Sequence, residues 1–346
     1  MQQESPLLAK LKEGPVLAAE GYIFELERRG YVKAGAFVPE VVLEHPEAVY
    51  ALHREFVRAG TDVTLALTYY AHREKLKAVG RENDLEMMNR EALKIAGEVA
   101  KESNTLFAGN ICNSGAYDVN DKENSEKEVR RQYTEQVQWA VGAGVDFIVA
   151  ETIEYLGEAL IALETIKAQN MAAVVNLASN HDKTKDGHDY VEALQKLKEN
   201  GADVVGFNCS RGPASMLPML KELRSTVDGP ISALPVAYRT TSETPSFQSL
   251  RNSDGEGAYT IGLDEFLLTR KEMANFTKEA KELGVEYIGI CCGASPHHVR
   301  AMAEALGRTV PASKYSPDMS QHYLIGSEEY AKKHEEEYTD HFANKS

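Results

Sequence analysis

The chain has 346 residues, enough for one large core or two small domains. Its apolar fraction is 43% and its charged fraction 26%, ordinary values for a globular protein. A formal net charge of -15 argues against nucleic acid as a partner, because phosphate binding needs clustered positive charge, and no apolar run is long enough to span a bilayer.

In chain order, Met1-Gln2-Gln3-Glu4-Ser5 lacks the basic-then-apolar layout of a signal peptide, so the expected compartment is the cytoplasm. Short apolar runs then predict strands at Val16–Ala19, Val63–Leu67, Leu106–Asn110, Phe147–Ala150, Ala173–Leu177, Val204–Asn208, Ile231–Pro235 and Tyr287–Ile290. Amphipathic stretches between them predict helices around Pro46–Arg58, Asp84–Lys101, Ser125–Val141, Tyr155–Ala168, Val191–Glu199, Ala214–Val227, Asp264–Leu283 and Pro296–Leu306. Several helix exits carry a glycine followed by an acidic residue just before the next strand, as in Gly60-Thr61-Asp62, Gly201-Ala202-Asp203 and Gly284-Val285-Glu286. Eight such units predict a (β/α)8 TIM barrel over residues 1–311 with a helical extension over 312–346. An open doubly wound sheet is the alternative, but no Gly-x-Gly-x-x-Gly follows the first strand. Two stretches fall outside the repeat. The Pro235–Gly262 segment is long for a connector and reads as a lid or binding loop, and the polar tail is helix-prone over Ser327–Asn344.

In a barrel, reactive residues gather where strands end. That rule places Cys209, after the sixth strand, on one rim with Cys291 and Cys292, after the eighth, and with Glu151, Tyr69 and Tyr70. In a reducing compartment the four cysteines read as metal ligands, reactive thiols or core residues before they read as disulfides. Three thiolates on Zn²⁺ would leave one tetrahedral position open for a substrate thiol, the pattern of a catalytic site. Cys112 reads as a small core hydrophobe, and His297 and His298 as helix-opening or solvated residues rather than ligands. A zinc or thiol redox sensor is the non-enzymatic alternative; metal content before and after mild oxidation separates the two.

The run Arg28-Arg29-Gly30-Tyr31-Val32-Lys33-Ala34-Gly35-Ala36-Phe37-Val38-Pro39-Glu40, with Leu43-Glu44-His45-Pro46-Glu47-Ala48-Val49, resembles betaine–homocysteine S-methyltransferases. So do the Asn208-Cys209 and Cys291-Cys292-Gly293 elements, and the likeness extends from about Val16 to Leu306. The resemblance implies methyl transfer from betaine, or a related onium such as dimethylsulfoniopropionate, to homocysteine, giving methionine and dimethylglycine or the demethylated donor. It implies Zn²⁺ on Cys209, Cys291 and Cys292, homocysteine's ammonium on Glu151, and substrate contacts from Glu20, Gly21, Tyr22, Phe37, Tyr69, Tyr70, Thr152 and Asn208. The chain departs from the family pattern at four places: Glu20-Gly21 stands for Asp-Gly-Gly, Phe37 for tryptophan, Thr152 for tyrosine and Leu234 for glutamine. These departures bear on the donor, so an S-methylmethionine–homocysteine methyltransferase is the rival enzyme. Small-molecule substrates are the expected partners, and homo-oligomerisation stays open.

Overall fold

The computed structural model describes residues 5–322. Its eight strands are β1 (Val16–Ala19), β2 (Val63–Leu65), β3 (Leu106–Cys112), β4 (Phe147–Ile153), β5 (Ala173–Leu177), β6 (Val204–Asn208), β7 (Ile231–Leu234) and β8 (Tyr287–Ile290). Each is followed by a helix: α1 (Pro46–Ala59), α2 (Leu85–Ser103), α3 (Lys122–Ala143), α4 (Leu156–Ala168), α5 (Tyr190–Glu199), α6 (Pro213–Thr226), α7 (Arg270–Glu282) and α8 (Pro296–Ala305). All pairings are parallel, in the order β1-β8-β7-β6-β5-β4-β3-β2. Shorter helices at Pro6–Glu13, Tyr22–Arg28, Val41–Glu44 and Arg73–Ala78 lie outside this alternation. The strands are buried almost throughout, as a parallel sheet covered by helices requires.

The acidic residues before alternate strands have a common task. Asp62 accepts the N–H of Leu17 at 2.8 Å, Asp146 that of Phe107 at 2.8 Å, Asp203 that of Ala173 at 2.8 Å and Glu286 that of Ile231 at 3.0 Å. Each acid's own N–H donates back to the carbonyl of the same residue. Four carboxylates thus fasten β2 to β1, β4 to β3, β6 to β5 and β8 to β7 at the barrel's N-terminal end. Between β1 and β2 this fastening replaces a regular ladder, and Arg308 braces it by donating to Asp62 Oδ2 at 2.7 Å and to the Pro15 carbonyl at 2.5 Å.

Some expected boundaries shift. β2 stops at Leu65, whereas β3 and β4 run on to Cys112 and Ile153 through polar residues that face the barrel's upper end. The helix expected over Asp264–Leu283 begins only at Arg270, because Thr269 and Glu272 form a reciprocal cap there. A separate 3₁₀ turn covers Leu263–Phe266. The chain divides into compact units at Met1–Val310 and Pro311–Ser346. Among the second unit's described residues are 3₁₀ turns at Pro311–Tyr315 and Met319–Gln321; the helix expected over Ser327–Asn344 lies outside the described residues.

Candidate active site

β7 acts as a ruler for the three rim cysteines. It lies between β6 and β8, and its last residues bond to both sides. Leu234 O accepts the Cys209 N–H at 2.9 Å, Pro235 O accepts the Cys291 N–H at 2.9 Å, and Ala237 N–H donates to Cys292 O at 2.9 Å. The Cys209 and Cys292 sulfurs are 3.5 Å apart and those of Cys291 and Cys292 are 4.0 Å apart, with all three within 4.8 Å of one another. Tetrahedral Zn²⁺ with Zn–S bonds of about 2.3 Å sets sulfurs about 3.8 Å apart, so the donor set and its spacing fit that ion. Hydrogen bonds from Cys291 and Cys292 pull the Cys209 thiol well below its usual range, and hydrogen bonding to Cys209, with burial and its charge, pushes the other two up.

Two glycines let the chain pass this closely. A Cβ on Gly21 would sit 2.6 Å from Cys291 O, and one on Gly293, where φ is +82°, would sit 2.7 Å from the Tyr238 ring. Left-handed backbone also recurs around the site. Phe37, Tyr70, Thr152, Cys209 and Ser210 have φ between 52° and 61°, and all five line one cavity.

That cavity, of about 160 Å³, opens at the C-terminal ends of the strands. Glu20, Gly21, Tyr22, Phe37, Tyr69, Tyr70, Glu151, Thr152, Cys209, Cys291 and Cys292 all line it, so the structure brings these sequence-predicted residues together. Asn208 is the exception. It is fully buried and does not face the cavity; instead its Nδ2 donates to Glu151 Oε2 at 2.7 Å and its Oδ1 accepts the Thr152 N–H at 2.8 Å. Its side chain braces two residues that do face the cavity. Tyr22 is tightly packed, edge-on to Phe56 and against His53, and forms part of the wall.

Glu151 also accepts a hydrogen bond from Asn110 Nδ2. Burial raises Glu151 to about 7, while burial and then the charge of Glu151 push Glu20 well above the carboxylate range. Neither Glu20 oxygen has a donor within the protein, yet both are buried, and burial beside Glu151 favours the protonated acid there. An ammonium group is the ligand that such a pair would hold.

The remaining predictions divide cleanly. Cys112 is 2% exposed and accepts the Tyr70 N–H, a core thiol under the site. His298 is buried, caps α8 through Ser295 and bonds to the Leu268 carbonyl, so it is no metal ligand here. The Pro235–Gly262 loop does reach the site, through Phe247, Gln248 and Tyr259. Those residues, with Phe24, Asn110, Asn113, Glu154, Asn180 and Ser210, escaped the sequence reading. Only the length of the loop signalled them. A larger open groove of about 670 Å³ between α2 and α3, floored by Phe107 and Trp139, has no cysteine lining it.

Comparison with known proteins gives the same answer. The family model described as homocysteine S-methyltransferase matches residues 21–306. The chain belongs to the homocysteine S-methyltransferase family. Betaine–homocysteine S-methyltransferase 1 of Danio rerio is 34% identical over 331 residues, covering 93% of this chain and 80% of that protein. The S-methylmethionine–homocysteine S-methyltransferase of Pongo abelii is 33% identical over 324 residues, covering 91% and 84%. Among solved structures, the metallated form of the homocysteine methyltransferase MmuM from Escherichia coli superposes with a TM-score of 0.68 at 19% identity, covering 86% of this chain and 99% of that one. That likeness establishes the barrel fold, and family membership makes the chain a methyltransferase rather than a redox sensor. Among the described residues no helix is long and apolar enough to cross a membrane.

Proposed function

We propose that the chain moves a methyl group from glycine betaine, or from a sulfonium such as dimethylsulfoniopropionate, to homocysteine, with Zn²⁺ held by Cys209, Cys291 and Cys292. The supporting observation is the sulfur cluster, spaced at 3.5 and 4.0 Å on the cavity wall. Bound zinc would supply a coordinated thiol with its proton removed at neutral pH. The chain's own residues do the rest. Glu20 and Glu151, both held toward the protonated form by burial, ionise against the homocysteine ammonium and fix the amino acid in one orientation. Asn110 and Asn208 hold the Glu151 carboxylate in place for that task. Phe37, Tyr69 and Tyr70 offer ring faces to a positively charged donor, an attraction of about 0.5–2 kcal/mol each depending on desolvation. An onium methyl has no proton that must be removed, so the wall needs no general base there. Rate comes from alignment of the methyl with the sulfur.

The reaction yields methionine and the demethylated donor. The cytoplasm, where thiols stay reduced, is the proposed compartment. S-methylmethionine is the rival donor, favoured by the named activity of the Pongo abelii relative. Incubating zinc-loaded protein with homocysteine and each donor separately decides between them: methionine formed with betaine or dimethylsulfoniopropionate is the expected outcome, and turnover with S-methylmethionine alone would reject the betaine-type reading.

A further inference from the structure

We propose that Tyr287 is a positioning residue for Glu20, acting through one buried water that it holds together with Asn176 inside the barrel. The inference deepens the reading above, in which Glu20 and Glu151 grip the homocysteine ammonium, and rests on that reading for its kinetic arm.

The two acids are not equally supported. Glu151 receives hydrogen bonds from Asn110 and Asn208, which fix its orientation. Glu20 follows directly after β1 with its N–H bonded to Ile290 O at 3.0 Å, and both its carboxyl oxygens are buried without a donor from the protein. A carboxylate that must grip an ammonium in one geometry needs a neighbour to hold it still.

Strand register places two further unpaired groups on the same inner face. Val16, Tyr287, Ser232, Gly206 and Asn176 are successive register partners across β1, β8, β7, β6 and β5. Register partners point to one side of a sheet. For this row that side is the barrel interior, because the Tyr287 ring meets Phe147 of β4, on the opposite wall, edge-on at 6.3 Å. Gly206 leaves the row open: a Cβ there would collide with Ser232, and without it Ser232 Oγ reaches across to bond Asn176 Oδ1. Asn176 Nδ2 and the Tyr287 hydroxyl stay buried and unpaired.

On β1 the period of two carries the inner face from Val16 through Ala18 to Glu20, and on β8 from Tyr287 through Gly289 to Cys291. Between the row and the acid pair these two strands offer only a methyl group and a glycine, with Leu234 closing over Gly289. Burial raises the Tyr287 hydroxyl well above its usual range, and of the charges acting on it Glu20 is the largest, followed by Glu151. The hydroxyl therefore lies beneath the acids.

The unpaired set matches one ligand. An amide N–H only donates, a hydroxyl donates and accepts, and an ionised Glu20 only accepts. Water serves all three, accepting from Asn176, donating to Glu20 and taking its third bond from Tyr287. Buried waters make about three hydrogen bonds to groups that lack other partners. The amide N–H speaks against a metal ion there, and the acids speak against an anion.

Tyr287→Phe removes one oxygen and keeps the ring on Phe147. A bonded hydroxyl is missed, so the zinc-loaded Tm should fall by about 1–4 °C. A dry, unpaired hydroxyl is a burden that phenylalanine lifts, so an unchanged or higher Tm overturns the water. The homocysteine KM should rise roughly 3- to 15-fold with kcat and zinc content unchanged. A role confined to packing would leave KM alone, and that result overturns the positioning of Glu20. In a Glu20→Ala background the same substitution should change KM by less than about twofold, and a full further rise would mean that Tyr287 does not act through Glu20. A crystal structure of the zinc-loaded protein should show water bonded to Tyr287 Oη and Asn176 Nδ2; a dry site rejects the inference. Should no donor be turned over, the methyl-transfer reading has failed, and the melt and the crystallographic water still decide the site.

Discussion

Replacing Asn208 by alanine separates the task of holding substrate from the task of holding metal. The side chain is fully buried and bonds to Glu151 Oε2 at 2.7 Å, to Thr152 Oγ1 at 2.9 Å and from the Thr152 N–H at 2.8 Å, with a long contact from Nδ2 to Cys291 Sγ at 4.0 Å. Loss of the last leaves a buried N–H unpaired, about 1–3 kcal/mol, and loss of the first removes a bond to an ionisable carboxyl, about 1.5–3 kcal/mol. The two sit on adjacent residues and do not simply add, so the expected destabilisation is about 3–5 kcal/mol. In a domain of this size that lowers Tm by roughly 5–12 °C. Glu151 keeps only Asn110 and loses its fixed orientation, so the homocysteine KM should rise about tenfold or more. Only the long contact to Cys291 Sγ at 4.0 Å is lost at the sulfurs, and zinc content should stay at one per chain. Thermal melts of the zinc-loaded variant, elemental analysis and initial rates with varied homocysteine give the three readings. A wild-type melt together with a wild-type homocysteine KM would refute the bracing role.

Cys209→Ala should lose zinc and activity together, read by elemental analysis and methionine formation; full activity in a metal-free variant would contradict the sulfur site. The Glu20–Glu151 pair makes a signed statement about pH. Both acids are raised in the fold, so the stability they contribute is present below the ordinary carboxylate range and is lost as pH rises. For Glu151 that loss runs from about 4.5 to about 7, and Glu20 extends it upward. Glu20→Gln copies the protonated acid, so its Tm should fall less than wild type between pH 7 and 9, and parallel profiles would count against a raised Glu20. Gly293→Ala forces a side chain into left-handed backbone 2.7 Å from the Tyr238 ring. Weakened zinc binding, by about tenfold or more in a chelator competition, is the expected reading.

The strands were legible because a parallel sheet buried on both faces writes itself as apolar runs, and all eight were found. The end of β4 was not legible, since Glu151 and Thr152 look like loop residues by polarity and become strand only because the barrel's upper end is a polar site; β3 likewise runs two residues past its expected end at Asn110. The zinc candidates stood out because rim position narrows what a cysteine can do. Phe247 and Tyr259 did not, because a loop has no periodicity to reveal where a ring points. The bracing role of Asn208 was not legible either: strand alternation turns its side chain toward Glu151. The left-handed conformations of Phe37, Tyr70 and Thr152 carry no residue-type signature, unlike the glycines at helix exits.

The bond from Arg308 to Asp62 and Pro15 joins a residue translated near the end of the barrel to two translated near its start. During synthesis the Asp62–Leu17 fastening can form early, but its Arg308 brace arrives only when nearly the whole barrel has left the ribosome. A chain cut short before residue 308 would keep most of its secondary structure but present an unlatched edge, which exposes unpaired backbone to neighbouring chains. Truncation should therefore produce aggregation long before it touches a single catalytic group.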